Sequence, residues 1–262
     1  FHAAAYKQVP MLESQVYAAA KNNILGTYNV ANIASKCHVK KFILVSTDKA
    51  VNPTNVMGMT KRVAEFICQY YSNNTSTDFI AVRFGNVLGS AGSVVPLFKQ
   101  QLLDGGPITV THPDITRYFM TIPEAVSLIL KAMSVGKSGD LFTLNMGEPV
   151  KIQFLAEKII ELSGKELGVD INIEYTGLRP GEKLYEELHY EFEERTKVSE
   201  KLFLVNSGEF DFNYLELSLN NILQQIKLRQ HAEIADSLRE LVFNSQSTKN
   251  ANVVKLPELV EA

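Results

Sequence analysis

The segment KKFILVS, residues 40–46, constrains the fold of this chain more than any other stretch. It is an unbroken run of branched and aromatic residues, without the polar alternation of a strand that has one wet face. Such a strand is buried on both faces, as in a parallel sheet covered by helices on either side. Its neighbours follow the same grammar. Helical apolar spacing runs through Val16, Ala20, Ile24, Tyr28, Val30 and Ile33; a helix is predicted near 56–73, the strand FIAVRF at 79–84, and a helix near 94–104. Strands alternating with helices of this length form βαβ units, so the expected class is α/β, a doubly wound parallel sheet.

Beyond residue 105 the pattern loosens into a smaller C-terminal lobe. GGPITVTHPDITRYF reads as loop and short strand. TIPEA opens a helix, with Thr121 as cap and Glu124 three residues on. DLFTLNMG (140–147) reads as a strand, 152–163 as a helix and VDINIEY (169–175) as a half-exposed strand. LRPGEKLYEEL places a Pro-Gly turn before a predicted helix, and 212–245 is amphipathic and helical. The expected organisation is the doubly wound domain over 1–105, a substrate-binding lobe with interspersed sheet segments over 106–200, a helical region over 201–246 and a flexible tail over 247–262. FHAAA at the start reads as the end of a buried strand, so the chain is expected to be the later part of a longer protein.

Bulk properties exclude several classes. A net charge of -3 gives no general attraction to nucleic acid or an anionic membrane, so an anionic ligand must be held by local arginines and helix ends. Cys37 and Cys68 lack metal-ligand spacing, as do the histidines, so no metal site is expected and a reduced, cytoplasmic setting is the reading. No apolar run reaches the roughly 18 residues of a membrane span.

Open parallel sheets bind ligands at the carboxyl ends of their strands. Three loops converge there: Ala3 to Tyr6, Ser46 to Lys49, and Arg83 to Asn86. Lys61 lies one helical turn beyond Met57 on the same face. Each residue alone has a plain structural role available, a solvated loop pair for Asp48-Lys49 and a surface charge for a lone arginine. Their shared placement favours a ligand crevice.

Six stretches occur in order: FHAAAYKQVPMLE, NNILGTYNV, VSTDKAVNPTNVMGMTKRVAE, VRFGNVLGSAGSVVPLF, ITRYFMTIPEAV and LRPGEKLYEEL. Over residues 1 to about 190 the chain thereby resembles the extended short-chain dehydrogenase/reductase superfamily. More closely, it resembles the capsule and O-antigen branch of UDP-N-acetylglucosamine 4,6-dehydratases. The resemblance implies a Rossmann-like domain, an NAD or NADP cofactor and a UDP-sugar substrate, UDP-N-acetylglucosamine or a relative. It implies oxidation at sugar carbon 4, loss of water across carbons 5 and 6, and return of the hydride to carbon 6. Many relatives open the central helix with Tyr-x-x-x-Lys; here Met57 stands at the tyrosine position, a variation of this branch. By the same resemblance Thr47 meets the sugar at the oxidised carbon, Asp48 protonates the leaving hydroxyl, Lys49 removes the carbon-5 proton and Lys61 holds the nicotinamide ribose. Ala3, Ala4, Ala5, Lys7, Asn23 and Ser46 are implied on the cofactor side. Asn86, Ser93, Val94, Arg117, Arg179 and Glu182 are implied on the substrate side, with Arg83 either there or bracing the loop. Guanidinium forks suit phosphate oxygens.

Asp48, Lys49 or a water held by Thr47 are alternative acceptors for the carbon-4 hydroxyl proton, and Tyr6 is a further tyrosine near the crevice. The family's glycine-rich pyrophosphate loop does not occur in these residues. A UDP-sugar 4-epimerase, a 5-epimerising dehydratase and a non-catalytic sugar-nucleotide module are the competing readings. A homo-oligomer is expected, with the helical surface beyond 212 as a candidate interface, and a membrane-anchored parent facing the cytosol is compatible.

Overall fold

The structure is a computed structural model that describes residues 1–206 and 211–244; the expected tail lies outside the described residues. Among the described residues the main sheet has five strands: β1 (Lys41–Val45), β2 (Asp78–Arg83), β3 (Leu141–Leu144), β4 (Glu194–Ser199) and β5 (Leu202–Asn206). The spatial order is β1-β2-β3-β5-β4. The first three run parallel, with Val45 opposite Val82 and Val82 opposite Phe142. β5 joins β3 antiparallel and β4 closes that edge as a hairpin. On the other edge His2 bridges Leu44 in parallel, its N–H donating to the Ile43 carbonyl at 2.8 Å.

The apolar run of β1 is divided between two cores, as a period of two requires. Phe42 and Leu44 face a layer built from the helices Gly26–Lys36, Val56–Asn74, Phe212–Leu228 and His231–Asn244. Ile43 faces the opposite layer, where Ala125 and Ala132 of the helix Ile122–Val135 pack with Ile80 and Phe142. That helix carries the expected capping box, Thr121 and Glu124 bonding each other's backbone N–H. A third cluster, including Phe98, Ile108, Ile115 and Ile160, is the core of the smaller lobe.

Three features depart from the sequence reading. The predicted helix after Arg179-Pro180-Gly181 does not form; residues 176–193 are irregular and cross the carboxyl ends of β1 and β2 as a strap. Its backbone is satisfied by distant side chains: Arg117 donates to the Lys183 and Leu184 carbonyls, and Asn55 donates to that of Gly181. The β4–β5 hairpin extends the main sheet where the helical region was expected to begin. The helices after residue 211 turn their apolar faces inward, burying Leu219, Ile222, Ile234 and Leu238 against the central helix Val56–Asn74. These faces are therefore core and closed to self-association, while Leu217 and Leu228 of the same region stay exposed.

An ionic cluster ties sheet, central helix and strap together. Arg83 at the end of β2 is 0% exposed; its Nε and Nη2 each donate to Glu65 at 2.8 Å, and its Nη1 donates to Glu193 at 2.9 Å. Arg62 adds a 2.8 Å bond to Glu65 and lies over the Tyr190 ring. Burial alone would raise the Glu65 carboxyl, but Arg83 and Arg62 prevail and hold it at about 2. Truncating one partner of such a cluster strands the others. Arg83→Met is therefore expected to destabilise the fold by about 3–5 kcal/mol, measured by urea unfolding. Because the folded carboxyl lies below its ordinary 4.5, its contribution is fully present above that pH and is lost as pH falls towards about 2.

Candidate active site

The cleft between the strand ends and the smaller lobe has a volume of about 460 Å³. Its floor is the turn after β1. Thr47 caps the short 3₁₀ helix Asp48–Ala50, accepting from the Lys49 N–H, and donates its hydroxyl to Asp48 Oδ1 at 2.8 Å. Asp48 is 0% exposed, beneath the cleft surface, and its Oδ2 has no hydrogen-bond partner among the described residues. Lys49 does line the cleft. Its Nζ lies 3.0 Å from Asp48 Oδ1, 3.3 Å from Asn86 Oδ1 and 3.5 Å from Glu186 Oε1. Burial alone would lower the Lys49 ammonium, but Asp48 and Glu186 outweigh it and the net direction is upward. Lys49 is thus an ammonium at neutral pH in this structure.

The central helix begins beside this turn. Asn55 caps it by accepting from the Gly58 N–H at 2.8 Å, and Glu13 accepts from the Val56 N–H at 2.7 Å. Met57 is 4% exposed; it belongs to the apolar core on the central-helix side and also lines the cleft. One turn on, Lys61 donates to the Val45 carbonyl at 2.7 Å. Burial depresses its ammonium to about 8 against the opposing pull of Glu65 and Cys68. Ser46 lines the cleft while donating to Glu65 at 2.6 Å, which connects the site to the ionic cluster.

Ala3, Ala5 and Lys7 line one wall; Ala4 does not. Asn23 is buried behind that wall in a π-helical segment, Lys21–Leu25. Its amide accepts from the Tyr6 N–H at 2.8 Å and donates to the Tyr6 carbonyl at 3.0 Å, so it fixes the loop without reaching the cleft. On the opposite wall lie Asn86, Ser93, Val94, Arg117, Arg179 and Glu182. The Ser93 hydroxyl is buried without a partner among the described residues, at the N-terminus of the helix Val94–Leu103. Burial would raise the Glu182 carboxyl, but hydrogen bonds and charge from Arg179, with Arg117, bring it below the ordinary range. Arg83 is the one arginine of the expected set that is absent from the lining; it is bound up in the cluster with Glu65 and Glu193.

Sequence reasoning missed Glu186 and Asn55. In YEEL, Glu186 resembles its exposed neighbour Glu187, and a predicted helix would have made both solvated charges. Only the strap's tertiary path buries one of them.

The chain matches the model of the family described as polysaccharide biosynthesis protein over residues 1–208. It belongs to that family. Within the polysaccharide biosynthesis family it is 53% identical over 228 residues to the capsular polysaccharide biosynthesis protein CapD of Staphylococcus aureus, a match covering 86% of this chain and 37% of CapD. A UDP-glucose 4-epimerase of Rickettsia felis is 33% identical over 99% of this chain and 72% of its own length. The X-ray structure of Pen from Bacillus thuringiensis superposes with a TM-score of 0.74 at 39% identity, over 78% of this chain and 65% of Pen. The chain thus spans about a third of CapD.

The glycine of this chain's Met57-Gly58-Met59 run is explained by packing at the floor of the cleft. A Cβ on Gly58 would collide with the Lys49 carbonyl and stand 3.0 Å from the Pro53 Cβ. Gly58→Ala is expected to push the turn bearing Asp48 and Lys49 away from the helix, at a cost of about 1–3 kcal/mol. Thermal melting reads the stability. A crystal structure of the variant reads the lengthened distance from Lys49 to Glu186.

Proposed function

We propose that this chain carries the reacting site of a nucleotide-sugar 4,6-dehydratase acting on UDP-N-acetylglucosamine or a close relative, with NAD or NADP as cofactor. The observation that carries the reading is the Asp48–Lys49 pair, 3.0 Å apart at the carboxyl end of the parallel strand β1, with Thr47 bonded to the same carboxylate. An acid and a base side by side suit elimination, whereas epimerisation at carbon 4 requires no such pair.

The residues present fit the nicotinamide end of the cofactor. Small Ala3 and Ala5 permit close backbone approach, and Lys61 projects from the helix into the same wall as Ser46 and Met57. When bound, the cofactor supplies reversible hydride uptake. The chain's own residues account for the protons. Thr47 passes the carbon-4 hydroxyl proton to Asp48, along the 2.8 Å hydrogen bond between them. Asp48, beneath the cleft surface, then holds the proton that a departing hydroxide needs, with the cleft-lining Thr47 between them. The carbon-4 ketone acidifies the adjacent C–H, and the Lys49 amine takes that proton and later gives it back to carbon 5. Met57 has no proton to move, and this route does not need one from that position. Arg117 and Arg179 are the groups suited to the diphosphate, with Glu182 released towards ribose hydroxyls.

The epimerase relative favours a second reading, interconversion at carbon 4 without loss of water. Mass spectrometry of UDP-N-acetylglucosamine incubated with the protein and NAD separates the two. Loss of one water supports the dehydratase; an unchanged mass with a new 4-epimer supports the epimerase. Asp48→Asn and Lys49→Met are each expected to slow water loss by about 10²- to 10⁴-fold, while UDP binding persists.

A further inference from the structure

Six ionisable side chains form one line of alternating charge from the rim of the cleft to its floor. Arg179 Nη2 lies 3.1 Å from Glu182 Oε1, which lies 3.6 Å from Arg117 Nη2. Arg117 Nε lies 3.8 Å from Glu186 Oε1, which lies 3.5 Å from Lys49 Nζ, and Lys49 closes on Asp48 at 3.0 Å. The Arg179 side chain is 55% exposed and that of Asp48 0%, so the line runs from solvent into the protein. Both ends serve the proposed reaction, but its base is charged: an ammonium has no lone pair with which to take a proton from carbon.

Resting on the nucleotide-sugar reading, we propose that Glu186 accepts the surplus proton of Lys49 when a diphosphate engages Arg117, and so turns the lysine into a base. Glu186 Oε1 faces both Lys49 and Arg117, while Oε2 is buried with no hydrogen-bond partner among the described residues. A carboxylate with one bare buried oxygen is costly in its charged form. Burial already pushes the Glu186 carboxyl upward; Lys49, Arg117 and Lys183 oppose this rise and Asp48 adds to it. A diphosphate on Arg117 offsets one of the three opposing cations. The nearest proton donor is Lys49, whose own charged neighbours are Asp48, Glu186 and Arg117. One proton moves from Nζ to the carboxylate, leaving a neutral amine beside a neutral acid; nothing is taken from solvent. Glu186 acts on substrate only through Lys49 and is a positioning residue. The coupling makes the base appear only when the nucleotide is bound.

The probe is UDP, and the readout is the infrared C=O stretch of a protonated carboxyl, recorded as a difference spectrum, with calorimetry to establish binding. The wild type and Glu187→Gln should gain the band on UDP addition. Glu186→Gln should bind UDP without gaining it, and its kcat for water loss should fall about a hundredfold with KM nearly unchanged. Arg117→Met should show the band before UDP is added, which tests the link in a second variant. UDP bound with no new band, or a band that survives in Glu186→Gln, overturns the proposal and leaves the nucleotide-sugar reading intact. Failure of UDP to bind the wild type removes both.

Discussion

The buried guanidinium of Arg83 is the interaction on which the site depends. It ends a central strand, holds Glu65 of the helix that carries Met57 and Lys61, and holds Glu193 of the strap that carries Glu182 and Glu186. Glu65 in turn accepts from Ser46 in the turn after β1. One cation thus fixes the relative positions of three elements that are far apart in sequence. Surface pairing could not do this, because an exposed ion pair is too weak to set geometry. Here the charges are desolvated and multiply hydrogen-bonded, so removing one strands the rest.

The parallel sheet was legible because burial on both faces leaves a mark in composition: β1 has no polar position to spare. The capping box at Thr121 was legible for a similar reason, since its chemistry is local. The strap was not. LRPGEKLYEEL has the charge spacing of a surface helix, and what prevents that helix is the set of side-chain donors from Arg117 and Asn55, which bind its carbonyls from 66 and 126 residues away. Arg83 was left open between a ligand contact and a brace, and only tertiary partners decide between them. The crevice itself followed from strand order: the ends of parallel strands must face one side. Ala4 sat in the right loop and Asn23 on a helix facing it, but pattern alone does not tell a side chain that meets the cleft from one that supports or borders it.

Met57 stands where the resemblance to short-chain dehydrogenase/reductases would place a tyrosine. A thioether beside the strand-end turn removes one proton carrier, and the structure offers hydrogen-bonded oxygen atoms next to it in the Thr47–Asp48 pair. In the proposed reaction the proton inventory closes within three consecutive residues and the strap. Lys49 sits between two carboxylates, which makes it a poor base until one of them is neutralised. Glu186, bounded by Arg117, is the carboxylate whose charge a bound anion can change.

The central claim is an internal redox cycle in which the hydrogen leaving carbon 4 returns to carbon 6. The most direct measurement uses UDP-N-acetylglucosamine deuterated at carbon 4, with the product read by proton and deuterium NMR. The account predicts a dehydrated 4-keto sugar with deuterium in its carbon-6 methyl group. Deuterium still on carbon 4 of the inverted 4-epimer, at unchanged mass, would contradict it and would make this site an epimerase.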